Sequence, residues 1–289
     1  MLTTENKFIL IINCPDKEGI IASVSNFLFK RNFNILESSQ FKDTKNNQFF
    51  MRVCFTNISD LKKFKYNNLQ VDFKKISKKF KMQFNFYDMS KKQKVLIMVS
   101  KFGHCLNHIL YQWKTGSLNC EIPLIVSNHS DMKEIARPYR IKYNVININK
   151  TNKQQQEEKL YNLIEDYKID LVVLARYMQV LSPQICKILE GKIINIHHSF
   201  LPSFKGARPY NQAFLQGVKI IGATAHYVTE KLDEGQIIEQ DVARVDHTKT
   251  LGNFISIGRD IENLVLKNAI NWHLERRVII NENRTIVFN

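Results

Sequence analysis

The chain has 289 residues, of which 44% are hydrophobic, and this composition favours a packed globular protein over long disordered segments. No stretch approaches the run of about 18 apolar residues that a membrane-spanning helix needs, and the polar residues 1–6 lack the features of a signal peptide. The five cysteines are widely spaced, without a Cys-x-x-Cys pair, as expected for reduced thiols. We therefore expect a cytoplasmic protein of two ordinary domains.

The formal charge of +15 is typical of nucleic-acid-binding proteins and has to be explained. The lysines from Lys62 to Lys94 fall on a predicted helix and linker, with no arrangement of aromatic residues suited to stacking bases. A solvated lysine face is the simpler interpretation, and attraction of an anionic small molecule is the alternative. We predict a small-molecule partner, no nucleic acid and no membrane.

The first 88 residues predict the order strand, helix, strand, strand, helix, strand. This is the split βαβ plan of a ferredoxin-like α+β domain. The strands are short runs rich in β-branched and aromatic residues, and the helices carry apolar residues at helical spacing. The predicted strands are Phe8 to Cys14, Asn34 to Phe41, Gln48 to Phe55 and Met82 to Tyr87, and the predicted helices are Gly19 to Lys30 and Leu61 to Lys79.

The turn after the first strand carries a motif, Asp16-x-x-Gly19, that is followed further on by Asn34-Ile35. This pattern resembles the start of an ACT domain. The resemblance implies a regulatory domain over residues 1–88 that binds a small amino acid, such as glycine or methionine, through Asp16, Gly19 and Asn34. It also implies a homo-oligomer, because ACT domains commonly pair edge to edge. The residues alone allow a simpler role, in which Asp16 caps the helix and Gly19 relieves a tight turn.

Residues 89–93 are polar and charged and predict a linker to a second domain over residues 94–289. There, near-continuous apolar strands alternate with helices, which indicates an α/β domain of Rossmann-like plan with a mostly parallel sheet covered on both faces. The predicted strands are Val95 to Val99, Ile122 to Ser127, Val145 to Ile148 and Leu171 to Ala175, and the helices start at His104, lie near Asp131 and span Lys153 to Tyr167.

The strand predicted over Lys192 to His198 ends in polar residues. Ligands of an open parallel sheet gather beyond the carboxyl ends of its strands, and the alternation of a strand places Asn195 and His197 on one face. By the same alternation we expect His198 on the opposite face, so that the two histidines do not share a metal ion. A carboxylate from Asp233, on a Gly-terminated loop after a further strand, would complete an acid–base set.

Two longer motifs carry a second resemblance. Asn195-Ile196-His197 precedes Leu201-Pro202-Ser203, and His226-Tyr227-Val228-Thr229 precedes Leu232-Asp233-x-Gly235. Together they resemble the formyltransferase fold that uses 10-formyltetrahydrofolate.

Within that superfamily the chain is most similar to the formyltetrahydrofolate deformylases. The features that select them are the ACT-like half, Gly103-His104-Cys105-Leu106, the doubled His197-His198 with Gly206-Ala207-Arg208-Pro209, and the stretch from Gly258 to Thr285. The resemblance implies hydrolysis of 10-formyltetrahydrofolate to tetrahydrofolate and formate, which would supply formate for purine synthesis and balance one-carbon pools. Folate is then the substrate, and no prosthetic group or metal is expected.

The resemblance also assigns residue roles. Asn195, His197 and Asp233 are the implied catalytic residues. His104 and Arg208 would lie beside an acceptor pocket that is left to water. The other implied substrate contacts are Leu174, Met178, Leu181, Thr229 and His226. For Met178 and Leu181, ordinary core packing remains an open alternative.

Two other functions remain open at this level. Glycinamide ribonucleotide formyltransferases share the catalytic motifs, but their first loop is a Gly/Asn/Ser-rich cradle for the substrate phosphate. The corresponding segment here, Ser100 to Cys105, has a single glycine. A non-catalytic amino-acid or folate sensor would need only the ACT-like half and a retained pocket, and the intact set of Asn195, His197 and Asp233 argues against it.

Overall fold

The computed structural model describes residues 6–57, 66–149, 151–203 and 209–288. The chain divides into two compact units, residues 1–92 together with 288–289, and residues 93–287. This division falls inside the linker predicted at residues 89–93. Among the described residues, no helix is both long enough and apolar enough to cross a membrane.

The first unit is a four-stranded antiparallel sheet with two helices. Its elements are β1 (Lys7–Pro15), α1 (Ile20–Phe29), β2 (Phe33–Asp43), β3 (Gln48–Asn57), α2 (Tyr66–Phe80) and β4 (Gln83–Asp88). The strand order is β2-β3-β1-β4, and every pair is antiparallel. This is the predicted ferredoxin-like plan. The part of the predicted second helix before Tyr66 lies outside the described residues.

Alternation in the central strand β1 builds the core of this unit. Phe8, Leu10 and Ile12 point to one face, where they pack with α1 and α2 through residues such as Val24 and Phe73. Aromatic rings make close edge-on contacts there, with the ring centroids of Phe27 and Phe73 at 5.0 Å. The period of two along the strand and the helical spacing of α1 are therefore satisfied by one shared core.

The second unit is built on a seven-stranded sheet of order β11-β10-β9-β8-β5-β6-β7. The five strands from β9 to β7 in that order are parallel, whereas β10 and β11 are antiparallel to their neighbours. The elements are β5 (Gln93–Val99), α3 (His104–Lys114), β6 (Cys120–Ser127), α4 (Lys133–Ala136), β7 (Lys142–Val145), α5 (Lys153–Tyr167), β8 (Leu171–Leu174), α6 (Pro183–Ile188), β9 (Ile193–His197), α7 (Pro209–Leu215), β10 (Ile220–Tyr227), β11 (Ile237–Arg244), α8 (Leu251–Leu274), β12 (Val278–Asn281) and β13 (Arg284–Val287). The predicted mostly parallel α/β fold is confirmed.

Helices cover both faces of this sheet. Val95, Ile97 and Val99 of β5 join a core cluster with α3 and α8, whereas Leu96 and Met98 join a second cluster with α5 and α6 on the other face. A strand buried on both faces has no polar positions to alternate with, which explains its continuous apolar sequence.

One predicted strand is displaced. We expected a strand at Val145 to Ile148, but β7 spans Lys142–Val145. Among the described residues, β7 is an edge strand whose one partner is β6. Its side chains are half-buried or exposed, and its sequence, KYNV, lacks an apolar signature. Ile146, which suggested the strand, is buried in the core directly after β7.

Candidate active site

The carboxyl ends of β8 and β9 open onto a cavity of about 290 Å³. Asn195 and His197, two residues apart on β9, both line this cavity, as the alternation predicted. In the antiparallel neighbour β10, His226 lies directly opposite Asn195. The loop after β10 closes the cavity with Thr229 and Asp233. The fold thus brings together residues that lie up to 38 positions apart in the sequence (Asn195 to Asp233).

His226 fixes the amide of Asn195. The Nδ1 of His226 lies 2.7 Å from the Tyr227 carbonyl oxygen, and its Nε2 lies 3.3 Å from Asn195 Nδ2. A carbonyl only accepts, so Nδ1 carries the proton and Nε2 accepts from the Asn195 amide. Burial lowers the pKa of His226, which keeps the ring neutral. One amide hydrogen of Asn195 is held by His226, and the other is left for a ligand.

Asp233 orients His197 in the same way. Its Oδ1 lies 3.3 Å from His197 Nδ1, and the hydrogen bond from His197 lowers the pKa of Asp233, against the opposing effect of burial. The carboxylate therefore accepts from Nδ1–H. His197 Nε2 is buried and has no hydrogen-bond partner among the described residues. A buried polar atom without a partner is costly, so this nitrogen marks the position where a ligand completes the site.

The depressed pKa of Asp233 predicts a pH-dependent stability difference. Because the folded pKa lies below the ordinary value of 3.8, the pair stabilises the fold above that value, and this stabilisation is lost as the pH falls through the folded pKa. Urea unfolding of wild type and Asp233→Asn should show a difference that is constant from neutral pH to about pH 5 and shrinks at lower pH. A difference that grows on acidification would contradict the assigned hydrogen bond between His197 and the Asp233 carboxylate.

The loop that carries Asp233 is held in an unusual conformation. Asp233 has φ +56°, in the left-handed region that asparagine and aspartate tolerate better than most residues. Two residues on, a Cβ added at Gly235 would lie 1.7 Å from the Tyr227 carbonyl oxygen. The end of the loop therefore needs glycine so that it can lie against β10, which aims the carboxylate at His197.

The walls of the cavity contain the apolar residues Leu174, Met178 and Leu181. Leu174 and Leu181 line it and also belong to the core, so Leu181 packs in the core and its contact with substrate stays a prediction. Met178 lines it too but is 51% exposed, which excludes ordinary core packing. An exposed apolar side chain at the mouth of a cavity is suited to cover a flat, partly apolar ligand.

The predicted orientation of His198 is wrong. β9 ends at His197, so the strand alternation does not extend to His198, and both histidines line the same cavity. Their ring centroids lie 5.3 Å apart. Burial and the nearby charge of Arg176 lower the pKa of His198 to about 3. His198 is therefore a neutral neighbour of His197.

Comparisons with known proteins identify the family of this chain. The formyl transferase family model matches residues 93–270. A formyltetrahydrofolate deformylase of Bacillus subtilis is 45% identical over 99% of this chain and 95% of its own length. The chain belongs to the formyltetrahydrofolate deformylase family. The crystal structure of a deformylase from Pseudomonas syringae pv. tomato, 42% identical, matches with a TM-score of 0.94 and covers 100% of this chain and 96% of that one.

A transferase of the wider superfamily matches less of the chain than the deformylases do. The structure of glycinamide ribonucleotide transformylase 1 from Symbiobacterium toebii is 26% identical, with a TM-score of 0.65. The match covers 98% of that protein but 71% of this one. The deformylase family, in contrast, extends over both units.

Beside the cavity, the structure contains a buried polar cluster that the sequence did not reveal. Glu262 of α8 is 1% exposed. Its Oε1 accepts from the Tyr210 hydroxyl at 2.6 Å, and its Oε2 lies 3.0 Å from His104 Nε2 and 3.4 Å from Arg176 Nε. Burial opposes ionisation of Glu262, but the hydrogen bond from His104 and the charge of Arg176 outweigh it and lower its pKa.

The cluster includes His104, which was predicted to lie beside the acceptor pocket. His104 does not line the cavity, because its ring is turned to Glu262. Arg208, its predicted partner beside the acceptor pocket, lies outside the described residues. A signal for the cluster was present in α8, where a glutamate occupies a buried position on a mostly apolar helix face. The partners of this glutamate could not be predicted from the helix pattern, because they lie on α3, on α7 and on the loop after β8.

The cluster is poorly suited to a metal ion. The donor atoms of His104, Cys105 and Glu262 lie within 4.8 Å of one another. However, the Arg176 guanidinium already lies against Glu262, and burial, followed by the charge of Glu262, raises the pKa of Cys105. A protonated thiol and a neighbouring cation both disfavour metal binding.

The same region yields a stability prediction. A Cβ added at Gly258 would lie 2.2 Å from the Tyr210 ring, which its bond to Glu262 holds in place. Gly258→Ala should destabilise the protein by about 1–3 kcal/mol, measured by thermal unfolding. Gly252→Ala in the same helix is the control. Its nearest neighbour is at 3.6 Å, so that variant should be neutral or stabilised by up to about 1 kcal/mol. Equal changes in stability for the two variants would contradict the close approach of Gly258 to the Tyr210 ring.

The predicted regulatory residues of the first unit do not meet within one chain. Gly19 has φ +84° and begins α1, as a tight turn requires, and Asp16 pairs with Lys42 at 2.6 Å and does not cap the helix. Asn34 lies opposite Thr56, which also lies opposite Lys7 at the start of β1. Asn34 is therefore at the end of the sheet remote from Asp16. The strand register, which the sequence does not specify, separates them.

Proposed function

We propose that this chain hydrolyses 10-formyltetrahydrofolate to tetrahydrofolate and formate. The observation that carries the proposal is the buried Nε2 of His197, which lacks a partner among the described residues while Asp233 holds Nδ1. The Asn195 amide, held by His226, faces the same cavity. Together they place an oriented imidazole and a fixed donor where an acyl carbon can be attacked.

The chemistry follows from these roles. Water attacks the formyl carbon, and the oxygen of the resulting tetrahedral intermediate takes on negative charge. The free N–H of Asn195 donates to that oxygen. The proton lost by the water passes to the pair of His197 and Asp233 and is delivered to N10 as the C–N bond breaks. Formate and tetrahydrofolate leave, and no prosthetic group is needed for these steps.

The folate would be bound by the apolar wall of the cavity. We assign the pterin ring to the space between the segment from Leu174 to Leu181 and the loop from Thr229 to Asp233, because both line the cavity that contains the formyl-handling residues. The basic surface of the chain would favour an anionic, polyglutamylated substrate.

The alternative, transfer to glycinamide ribonucleotide, is disfavoured by the loop after β5, where the hydroxyl of Ser100 is not free to hold the acceptor's phosphate. The Ser100 hydroxyl donates to Asn128 at 2.6 Å and accepts from the Met178 N–H at 2.9 Å, so it is already engaged. The test is to incubate the protein with 10-formyltetrahydrofolate, with and without the ribonucleotide, and to measure formate. Formate release without any acceptor supports hydrolysis, whereas turnover only with the ribonucleotide would show a transferase.

We assign to the first unit the binding of a small amino acid, glycine or methionine, at the turn of Gly19. Since Asp16 and Asn34 lie at opposite ends of the sheet, a site that uses both requires a second copy of the chain. Titration calorimetry of the full chain with each amino acid, together with sedimentation of the protein, tests this assignment. A monomer that binds neither amino acid would overturn it.

A further inference from the structure

Arg176 is a buried cation beside the formyl-handling residues, and neither hydrolysis nor folate binding accounts for it. It follows β8 at the carboxyl end of the parallel sheet, lines the cavity with Asn195 and His197, and is 9% exposed. Its φ of +63° is unfavourable for arginine, yet the backbone is held there by the hydrogen bond from Ser100 N–H to its carbonyl. Such strain is tolerated where the surroundings impose it, commonly at functional sites.

The guanidinium is clamped on one side only. Glu262 approaches Nε at 3.4 Å and forms an ion pair whose geometry makes no hydrogen bond, so Nε is left without a hydrogen-bond partner among the described residues. The guanidinium carbon lies 5.6 Å from the centre of the Phe102 ring. Within the described part of the chain, no side chain accepts a hydrogen bond from Arg176, although a guanidinium offers five donors.

The charges around the cavity indicate what Arg176 can bind. The described residues that line the cavity include two positive side chains, Arg176 and Lys231, and Lys231 is exposed. Asp233 is ionised because its pKa is lowered. A carboxylate released at His197 is therefore formed next to a fixed negative charge, and Arg176 is the buried group that can offset the repulsion. His198 is neutral and does not compete for the anion.

We propose that Arg176, held in place by Glu262, is a binding site for a small planar carboxylate and receives formate as it leaves the formyl carbon. A guanidinium fork matches a carboxylate with two parallel hydrogen bonds, a geometry that an ammonium group cannot reproduce. The identification of the anion as formate rests on the proposed hydrolysis. The anion site itself does not, because it follows from the buried guanidinium.

The test measures formate binding directly and through inhibition. The probes are ¹³C-formate, followed by NMR line broadening with the full chain, and added formate in the deformylation assay, with chloride at equal ionic strength as reference. Arg176→Lys keeps the charge and loses the fork. Arg259→Lys is the matched control, because Arg259 also lies over the Phe102 ring, at 5.9 Å, but on the exposed surface.

We expect wild type and Arg259→Lys to bind formate and to be inhibited by it, with nitrate, another small planar anion, as a competitor. Arg176→Lys should weaken both effects by about tenfold or more, as expected for the loss of a charge-assisted hydrogen bond, while the KM for the folate changes little. Formate that acts no differently from chloride on wild type, or equally on both variants, would overturn the proposal. If no formate is released from the folate but ¹³C-formate still binds through Arg176, the proposed function fails and the anion site stands.

Discussion

Replacing Asp233 with asparagine should lower kcat by about 10³- to 10⁴-fold, the loss that removal of the orienting carboxylate causes in hydrolytic triads. Asparagine has nearly the same shape and tolerates the left-handed backbone at this position, where φ is +56°. It cannot serve as a purely accepting partner for His197 Nδ1, so the imidazole is free to adopt the wrong tautomer. Folate binding depends on the cavity walls and should be retained.

The measurement is single-turnover kinetics with 10-formyltetrahydrofolate, together with equilibrium binding of tetrahydrofolate. Glu234→Gln is the matched control, because Glu234 is the exposed carboxylate that follows Asp233 on the same loop but is not among the residues that line the cavity. It should retain near-normal turnover. If Asp233→Asn also turned over at a near-normal rate, Asp233 would be removed from the mechanism.

The second large effect is expected at Asn195. Asn195→Ala removes the donor to the developing oxyanion and should lower kcat by about 10²- to 10³-fold, with a smaller change in KM. The substitution also leaves the buried Nε2 of His226 without its partner, which destabilises the fold. A loss of activity could then reflect misfolding alone.

Asn195→Ser separates the two effects. The hydroxyl of serine can still donate to His226, but it has one hydrogen and none remains for the oxyanion. We expect stability nearer to that of wild type and a loss of turnover close to that of Asn195→Ala, measured by thermal unfolding and kcat. Turnover restored along with stability would show that Asn195 has only a structural role.

The sequence predicted the parts of the fold that depend on local periodicity. α5 has the predicted bounds, Lys153–Tyr167, because its apolar positions repeat at helical spacing between polar flanks. The displaced strand β7 shows the limit of this approach, since a half-exposed edge strand has no apolar pattern of its own. The register of the first sheet, which separates Asp16 from Asn34, is likewise a property of strand pairing and not of the residues read singly.

The sequence likewise predicted some residues of the candidate site and missed others. The strand alternation predicted that Asn195 and His197 share one face. Asp233 was predicted from the motif Leu232-Asp233-x-Gly235. The role of His226 could not be found, because it follows from the register that sets it opposite Asn195. Tyr210 and His104 reach Glu262 across 52 and 158 positions of sequence, and no local pattern predicts contacts of that range. The charge of Arg176 interrupts an apolar run of the sequence. Its buried position depends on the contact with Glu262, which no local pattern predicts.

The central claim is that water, and no amine, takes the formyl group. It is tested most directly by single-turnover reaction of the protein with 10-formyltetrahydrofolate in H₂¹⁸O, with no acceptor present and with mass analysis of the formate. We predict that tetrahydrofolate and formate appear together and that each formate carries one oxygen from the solvent. Deformylation that requires an added amine, or formate without solvent oxygen, would contradict it.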